Sequence, residues 1–184
     1  AGIAKTLRNN GFTIHVCDGR PGVADAFVAE GGTAHATTAA LAAVSDVVVS
    51  VVVNAAQTES VLFGDDGLAA AMAPGSVFVM CSTVDPGVSV GFEERLARLG
   101  IFYIDAPISG GAAKAASGEM TMMTAARPEA YAKAEAVLEA MAGKVYRLGD
   151  RAGAGSKVKV INQLLAGVHI AAAAEAMALG LREG

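Results

Sequence analysis

The tract Asp105-Ala-Pro-Ile-Ser-Gly-Gly111 puts a hydroxyl and two residues without side chains where a strand-like run gives way to a helical one. Backbone N–H groups approach an anion closely only where no side chain intervenes. Ser109, Gly110 and Gly111 are therefore a candidate cradle for the carboxylate of a small organic acid. Pro107 and the glycines also make an ordinary strand-to-helix turn, and the tract alone does not separate the two readings.

A second group lies in Gly153-Ala-Gly-Ser-Lys-Val-Lys159, which opens a helical pattern with Asn162 and Gln163 following Lys159 at i+3 and i+4 on one face. A partly desolvated amine has a lowered pKa and can exchange a proton with a hydroxyl or carbonyl near neutral pH. A lone lysine is more often a solvated surface charge, as the neighbouring Lys157 illustrates. Asp18 ends a strand-like run that follows a helix, where a dinucleotide fold carries its ribose-binding carboxylate, and it is equally a turn-former before Gly19. A carboxylate there repels a 2′-phosphate and favours NAD, while Arg20 keeps NADP open. Asn54 and Ser82-Thr83 close two further strand-like runs. His15, His35, His169, Cys17 and Cys81 have no metal-binding spacing, so no metal site is predicted, and His169 is expected to pack within its helix.

These residues need a scaffold, and the pattern supplies one. After an opening helical run, Ile3 to Arg8, strands are predicted at Phe12–Cys17, Asp46–Val53, Val77–Cys81, Phe102–Asp105, Met120–Thr124 and Lys144–Leu148. Helices are predicted at Val23–Glu30, Thr38–Val44, Gln57–Phe63, Pro86–Leu99 and Glu129–Met141, with a long Ala-rich one from Ser156 to Glu183. Strands alternating with helices predict an α/β, Rossmann-type, doubly wound and mostly parallel sheet, and the β-branched run Val47–Val53 reads as a strand buried on both faces. Such sheets bind ligands beyond the carboxyl ends of their strands, where the candidate residues fall. The organisation reads as a nucleotide-binding domain over residues 1–150, then the start of a long interdomain helix over 151–184.

Composition narrows the partners. The 184 residues are 53% hydrophobic, ample for a core, and the formal net charge is −4 without any Lys/Arg cluster. That excludes the electrostatic footprint of a nucleic-acid or anionic-membrane binder and favours a small-molecule partner. The last helix is apolar enough for a membrane span, but Lys157, Lys159, Asn162, Gln163, His169 and Glu175 would be costly in lipid, so no membrane partner is predicted. Cys17 and Cys81 read as free thiols buried in a reducing compartment, giving a cytoplasmic protein.

With these motifs assembled, the chain resembles, essentially end to end, the β-hydroxyacid dehydrogenase family that includes 3-hydroxyisobutyrate dehydrogenase and tartronate semialdehyde reductase. The resemblance rests on Asp105–Ala112 with Ser117-Gly-Glu-Met-Thr121, and on Gly153–Asn162. Val53–Gln57 with Val61–Gly64, Ala142–Arg147 and Gln163–Ala172 look most like the branch whose members act on L-threonate. The resemblance implies hydride transfer between a small hydroxy acid and a nicotinamide cofactor. It implies that Ser109, Gly110 and Gly111 hold the substrate carboxylate, that Thr83 meets the nicotinamide end, and that Lys159 is the general acid/base. The family commonly has Asn four residues after that lysine. Gln163 stands there instead, with Asn162 one earlier, so both amides are candidates for orienting the substrate. The family pattern also places a first strand with its glycine-rich loop before Ala1 and an all-helical, commonly oligomerising domain after Gly184. A chain of these residues alone is expected to show little or no turnover.

Overall fold

The computed structural model describes residues 2–184. Its elements run α1 (Gly2–Asn9), β1 (His15–Val16), α2 (Val23–Val28), β2 (Thr33–Ala34), α3 (Thr38–Ala42), β3 (Val47–Ser50), α4 (Ala55–Phe63), a 3-10 turn (Leu68–Ala70), β4 (Val77–Met80), α5 (Pro86–Ala97), β5 (Phe102–Asp105), β6 (Ile108–Ser109), α6 (Gly111–Ser117), β7 (Met120–Ala126), α7 (Pro128–Met141), β8 (Ala142–Arg147) and α8 (Ala154–Glu183). Three helices begin on residues suited to the task. Thr37, Asn54 and Asp85 each accept a hydrogen bond from the first turn that follows, and Pro86 and Pro128 sit where a missing N–H costs nothing.

β3, β4 and β5 pair in parallel, β7 runs antiparallel to β5 and β6, and β8 pairs in parallel with the other side of β7. β1 and β2 form a separate parallel pair. The alternation of β4 shows why the fold is doubly wound. Val77, Val79 and Cys81 join a core with Ile3 and Leu7 of α1 and Ala130, Ala134, Leu138 and Met141 of α7. Phe78 and Met80 turn the other way, into a core with Ala42, Leu62, Phe92, Leu96 and Tyr103. Side chains of period two thus feed one apolar layer on each face of the sheet.

Several expectations change in detail. Within Phe12–Cys17 only His15 and Val16 pair as strand. The Val-rich run forms strand only over Val47–Ser50; Val48 and Ser50 are buried, Val47 and Val49 are half-buried, and Val51 and Val53 are exposed. β4 is the strand buried at all four positions, and its paired neighbours are β3 and β5. α8 packs by its first turns on α5, β5 and β7. From Val160 onward it is exposed all round within these residues, His169 included.

Phe78 is fully buried and its ring lies 6.2 Å from that of Tyr103. Phe78→Ala should therefore cost about 3–5 kcal/mol of unfolding free energy, read as a lowered urea midpoint. A loss below about 1 kcal/mol would mean that this core layer collapses around the gap.

Candidate active site

β5 and β6 keep one register against β7. Ile104 and Asp105 face Ala126 and Ala125, and Ile108 and Ser109 face Met122 and Thr121. Between them Pro107 O accepts from Met123 N at 3.0 Å. Residues 105–109 are thus one interrupted strand, where the sequence predicted a strand ending at Asp105. Pro107 is tolerated because only its carbonyl is needed toward β7. Asp105 and Ser109, at even spacing, alternate onto the sheet face that Tyr103 and α5 occupy.

The turn comes one step later. Gly110 and Gly111 have φ of 136° and 70°, values an L-residue rarely adopts. They differ in surroundings. A Cβ on Gly110 would lie 2.9 Å from Lys114 Cβ, so the lysine stem occupies that space, whereas nothing stands within 4 Å of one built on Gly111. Both glycines are exposed, and the space beside Gly111 is open to an approaching carboxylate, with Ser109, half-buried, next to them.

Asp105 was named in the motif without a role, and the structure gives it one. Its fully buried carboxylate accepts at Oδ2 from Gly153 N (2.8 Å) and Ser156 N (2.9 Å), and at Oδ1 from Ser156 Oγ (2.6 Å). The N-cap residue of α8, Gly153, has no side chain to satisfy the helix's first donors, and Asp105 does so from across the fold. Hydrogen bonds to a charged group contribute about 1.5–3 kcal/mol each. The approach is close enough that a Cβ on Gly155 would fall 2.4 Å from Met123 O and 2.9 Å from Asp105 O.

Lys159 follows Ser156 at i+3 on the same buried side and is 6% exposed. Burial pulls its pKa below the ordinary lysine value. No ion pair among the described residues involves it. Asn162 and Gln163 stand exposed a turn further on.

Asp18 lies just beyond β1, where the sequence placed it, but its carboxylate is already engaged. Arg20 donates from Nε to Oδ1 (3.0 Å), from its backbone N to Oδ1 (3.0 Å) and from a terminal guanidinium nitrogen to Oδ2 (2.8 Å). This pairing holds the Asp18 pKa down at about 2. Asn54, at the carboxyl end of β3, spends Oδ1 on Gln57 N (2.9 Å), and Gln57 Oε1 returns to Val53 N (2.8 Å). That Asn-x-x-Gln spacing is a helix-start signal legible in the sequence and missed there. Thr83 is exposed after β4, while Ser82 beside it is buried on Thr58 and Val52. Ser50, ending β3, keeps a buried hydroxyl oxygen without a partner. Arg20 takes three of the roughly four acceptor positions of the Asp18 carboxylate, and the one left, with the exposed Thr83 hydroxyl after β4 and the exposed Asn54 amide beyond β3, suits a dinucleotide's ribose and amide groups, so these residues fit such a cofactor.

His15 Nδ1 and His35 Nε2 lie 2.8 Å apart, a pair invisible at twenty residues' separation and created by the β1–β2 register. Cys17 and Cys81 are both free thiols; Cys81 is buried, while Cys17 is half-buried rather than buried as predicted. Burial pushes the Cys81 pKa up to about 12 and, with the Asp18 charge, raises that of Cys17, so neither is an activated nucleophile.

A doubly wound sheet with its polar residues gathered at the strand ends defines a nucleotide-binding α/β domain. Residues 1–149 match the family described as the NAD binding domain of 6-phosphogluconate dehydrogenase, and the chain belongs to it. It is 61% identical over 183 residues to an L-threonate dehydrogenase of Cupriavidus necator, with 100% of this chain and 62% of the relative covered. It is 46% identical to one of Pectobacterium atrosepticum, over 98% of this chain and 60% of that protein. Among solved structures, a 3-hydroxyisobutyrate dehydrogenase from Salmonella typhimurium superposes with a TM-score of 0.94 at 46% identity, covering 100% of this chain and 64% of that one. The chain spans about three fifths of the length of these relatives.

The Asp18–Arg20 pair has a direct signature. An Asp pKa lowered from 3.8 to about 2 makes the pair's contribution complete above about pH 4 and lost as pH falls toward 2. The contribution is small because both groups are solvated. Carboxyl NMR should give a midpoint near 2 for Asp18, returning toward 3.8 in Arg20→Ala. An unchanged midpoint would mean the pair does not persist in solution.

Proposed function

We propose that the whole protein is a cytoplasmic NAD-dependent oxidoreductase acting on small 3-hydroxy or polyhydroxy acids, and that it oxidises L-threonate to 2-dehydro-L-erythronate. The observation that carries this reading is the attachment of the Lys159 helix to the strand that ends in Ser109, through Asp105. A carboxylate grip and a buried amine on one sheet face are the two groups needed to orient a hydroxy acid and remove its hydroxyl proton.

In the oxidation direction, Ser109 and the backbone at Gly110 and Gly111 hold the substrate carboxylate. Asn162 or Gln163 orients the substrate's hydroxyls. Lys159, entering as the free amine, takes the hydroxyl proton at Nζ as the carbonyl forms. Bound NAD supplies the hydride acceptor at nicotinamide C4. Asp18 would receive the adenosine ribose hydroxyls, with Arg20 beside it leaving NADP usable, and Asn54 and Thr83 would complete the set of residues that hold the cofactor. The 61% identity to a protein named for L-threonate favours that substrate. The solved relative named for 3-hydroxyisobutyrate favours a second reading, a sibling activity on 3-hydroxyisobutyrate or tartronate semialdehyde. A dehydrogenase-like protein without catalysis is disfavoured by the retention of Lys159 with Ser109, Gly110 and Gly111.

α8 has the length and composition of a membrane span. Its docked first turns and buried Lys159 support a soluble role instead, as the first helix, over residues 151–184, of a helical domain through which copies associate.

Turnover of L-threonate, 3-hydroxyisobutyrate and tartronate semialdehyde by the whole protein, with NAD and with NADP, tests the assignment. L-threonate with NAD should give the highest kcat/KM. Lys159→Ala should lower kcat by about 10²–10⁴-fold while NAD still binds; turnover near that of the wild type would remove Lys159 from the chemistry. Because the lysine must be neutral to accept a proton, oxidation should rise with pH along a limb below the ordinary lysine value near 10.4, and reduction should fall along the same limb. An oxidation rate flat through that range would contradict a lysine base.

A further inference from the structure

We infer that Asp105 is a positioning residue for the proton-transfer step: its carboxylate sets the axial and rotational place of the first turn of α8, and so the place of Lys159 relative to Ser109. The inference rests on the function proposed above and adds a residue to it.

Three features of the contact select positioning over simple capping. The carboxylate uses both oxygens, and its three hydrogen bonds go to two residues of one turn, so the turn can neither slide nor rotate without breaking one. Gly155 lies so close to Met123 O and Asp105 O that no side chain fits between, which makes the first turn a seated contact. Gly155 and Ser156, which form the seat, and Lys159 are the buried residues of α8, so the seat and the amine share one packed face of the helix. Lys159 comes one turn after Ser156, about 4.5 Å along the axis, and a shift at the seat is carried to the amine with little loss.

Asp105 also belongs to the strand that ends in Ser109, so a single side chain references the amine to the carboxylate grip. Proton transfer needs donor and acceptor within about 2.6–3.2 Å, whereas the grip of Ser109 on the substrate carboxylate does not depend on the helix seat, and only the contacts of Asn162 and Gln163 move with it. Loss of the clamp should therefore lower kcat far more than it raises KM.

The test uses the whole protein and a graded series. In Asp105→Asn the side-chain carbonyl can accept from both backbone N–H groups, and its amide can donate to Ser156 Oγ, so the geometry survives without the charge. Asp105→Ala removes all three bonds, and Ser156→Ala removes the hydroxyl bond alone. Expected are a kcat about 10²-fold lower in Asp105→Ala and several-fold lower in Ser156→Ala, Asp105→Asn within about tenfold of wild type, and KM and NAD affinity within about threefold throughout. Amide hydrogen exchange at Gly153 and Ser156 should quicken by at least about tenfold in Asp105→Ala and stay near wild type in Asp105→Asn. Should Asp105→Ala not fold, Ser156→Ala and Asp105→Asn carry the test: unchanged kcat in the first, or a hundredfold loss in the second, overturns the inference. So does a rise in KM at constant kcat. Wild-type turnover with full kcat in folded Asp105→Ala sinks the positioning role alone, whereas a wild type without hydroxyacid turnover sinks the oxidoreductase reading and this inference together.

Discussion

A carboxylate with no exposed surface holds the start of a thirty-residue helix against the end of a strand forty-eight to fifty-one positions earlier in the chain. Burying an unpaired charge costs several kcal/mol, so Asp105 is compatible with the fold only while Gly153 and Ser156 satisfy it. The helix in turn lacks any cap from its own N-terminal residue. Each side makes the other tolerable. This mutual requirement gives Lys159 a defined place, one turn beyond the seat on the same buried side.

The sheet serves that contact. β4 fills both apolar layers, β5 lies beside it, and β7 then runs antiparallel to the continuation of β5 through Pro107. The reversal matters because it lets the tract carrying Asp105 and Ser109 stay in register across a proline. Two polar residues four positions apart thereby reach one face, and the glycine turn follows only after the strand has delivered the serine. The Lys114 stem fills the space a side chain on Gly110 would need, and the space beside Gly111 is open. Beyond β1, Asp18 is paired with Arg20, which holds its carboxyl ionised down to about pH 2.

Much of this was legible because local patterns are strong where one physical requirement dominates. The order of strands and helices follows from alternating β-branched runs and breakers, and Asp18, Asn54 and Thr83 fall at strand ends because polar residues cluster where apolar runs stop. Burial was less legible. The valine run read as a strand buried on both faces, yet what covers a strand's two faces is not a property of its own residues, and the strand buried at every position is β4. β6 escaped notice because its strand character comes from pairing with β7, not from a two-residue pattern beside a proline. The Asn54-to-Gln57 cap could have been read from spacing and was not.

The sequence by itself determined the residue types, the element order, the strand-end placement of the polar groups and the likeness to hydroxyacid dehydrogenases, since each depends on neighbours within a few positions. Only the tertiary structure decided that Asp105 is a clamp, that His15 meets His35, that Arg20 occupies Asp18, and that Lys159 is buried while Asn162 and Gln163 are not. The reason is physical. A hydrogen bond or a buried charge is fixed by whichever groups the fold brings within about 3 Å, and across fifty residues no local pattern records which groups those will be.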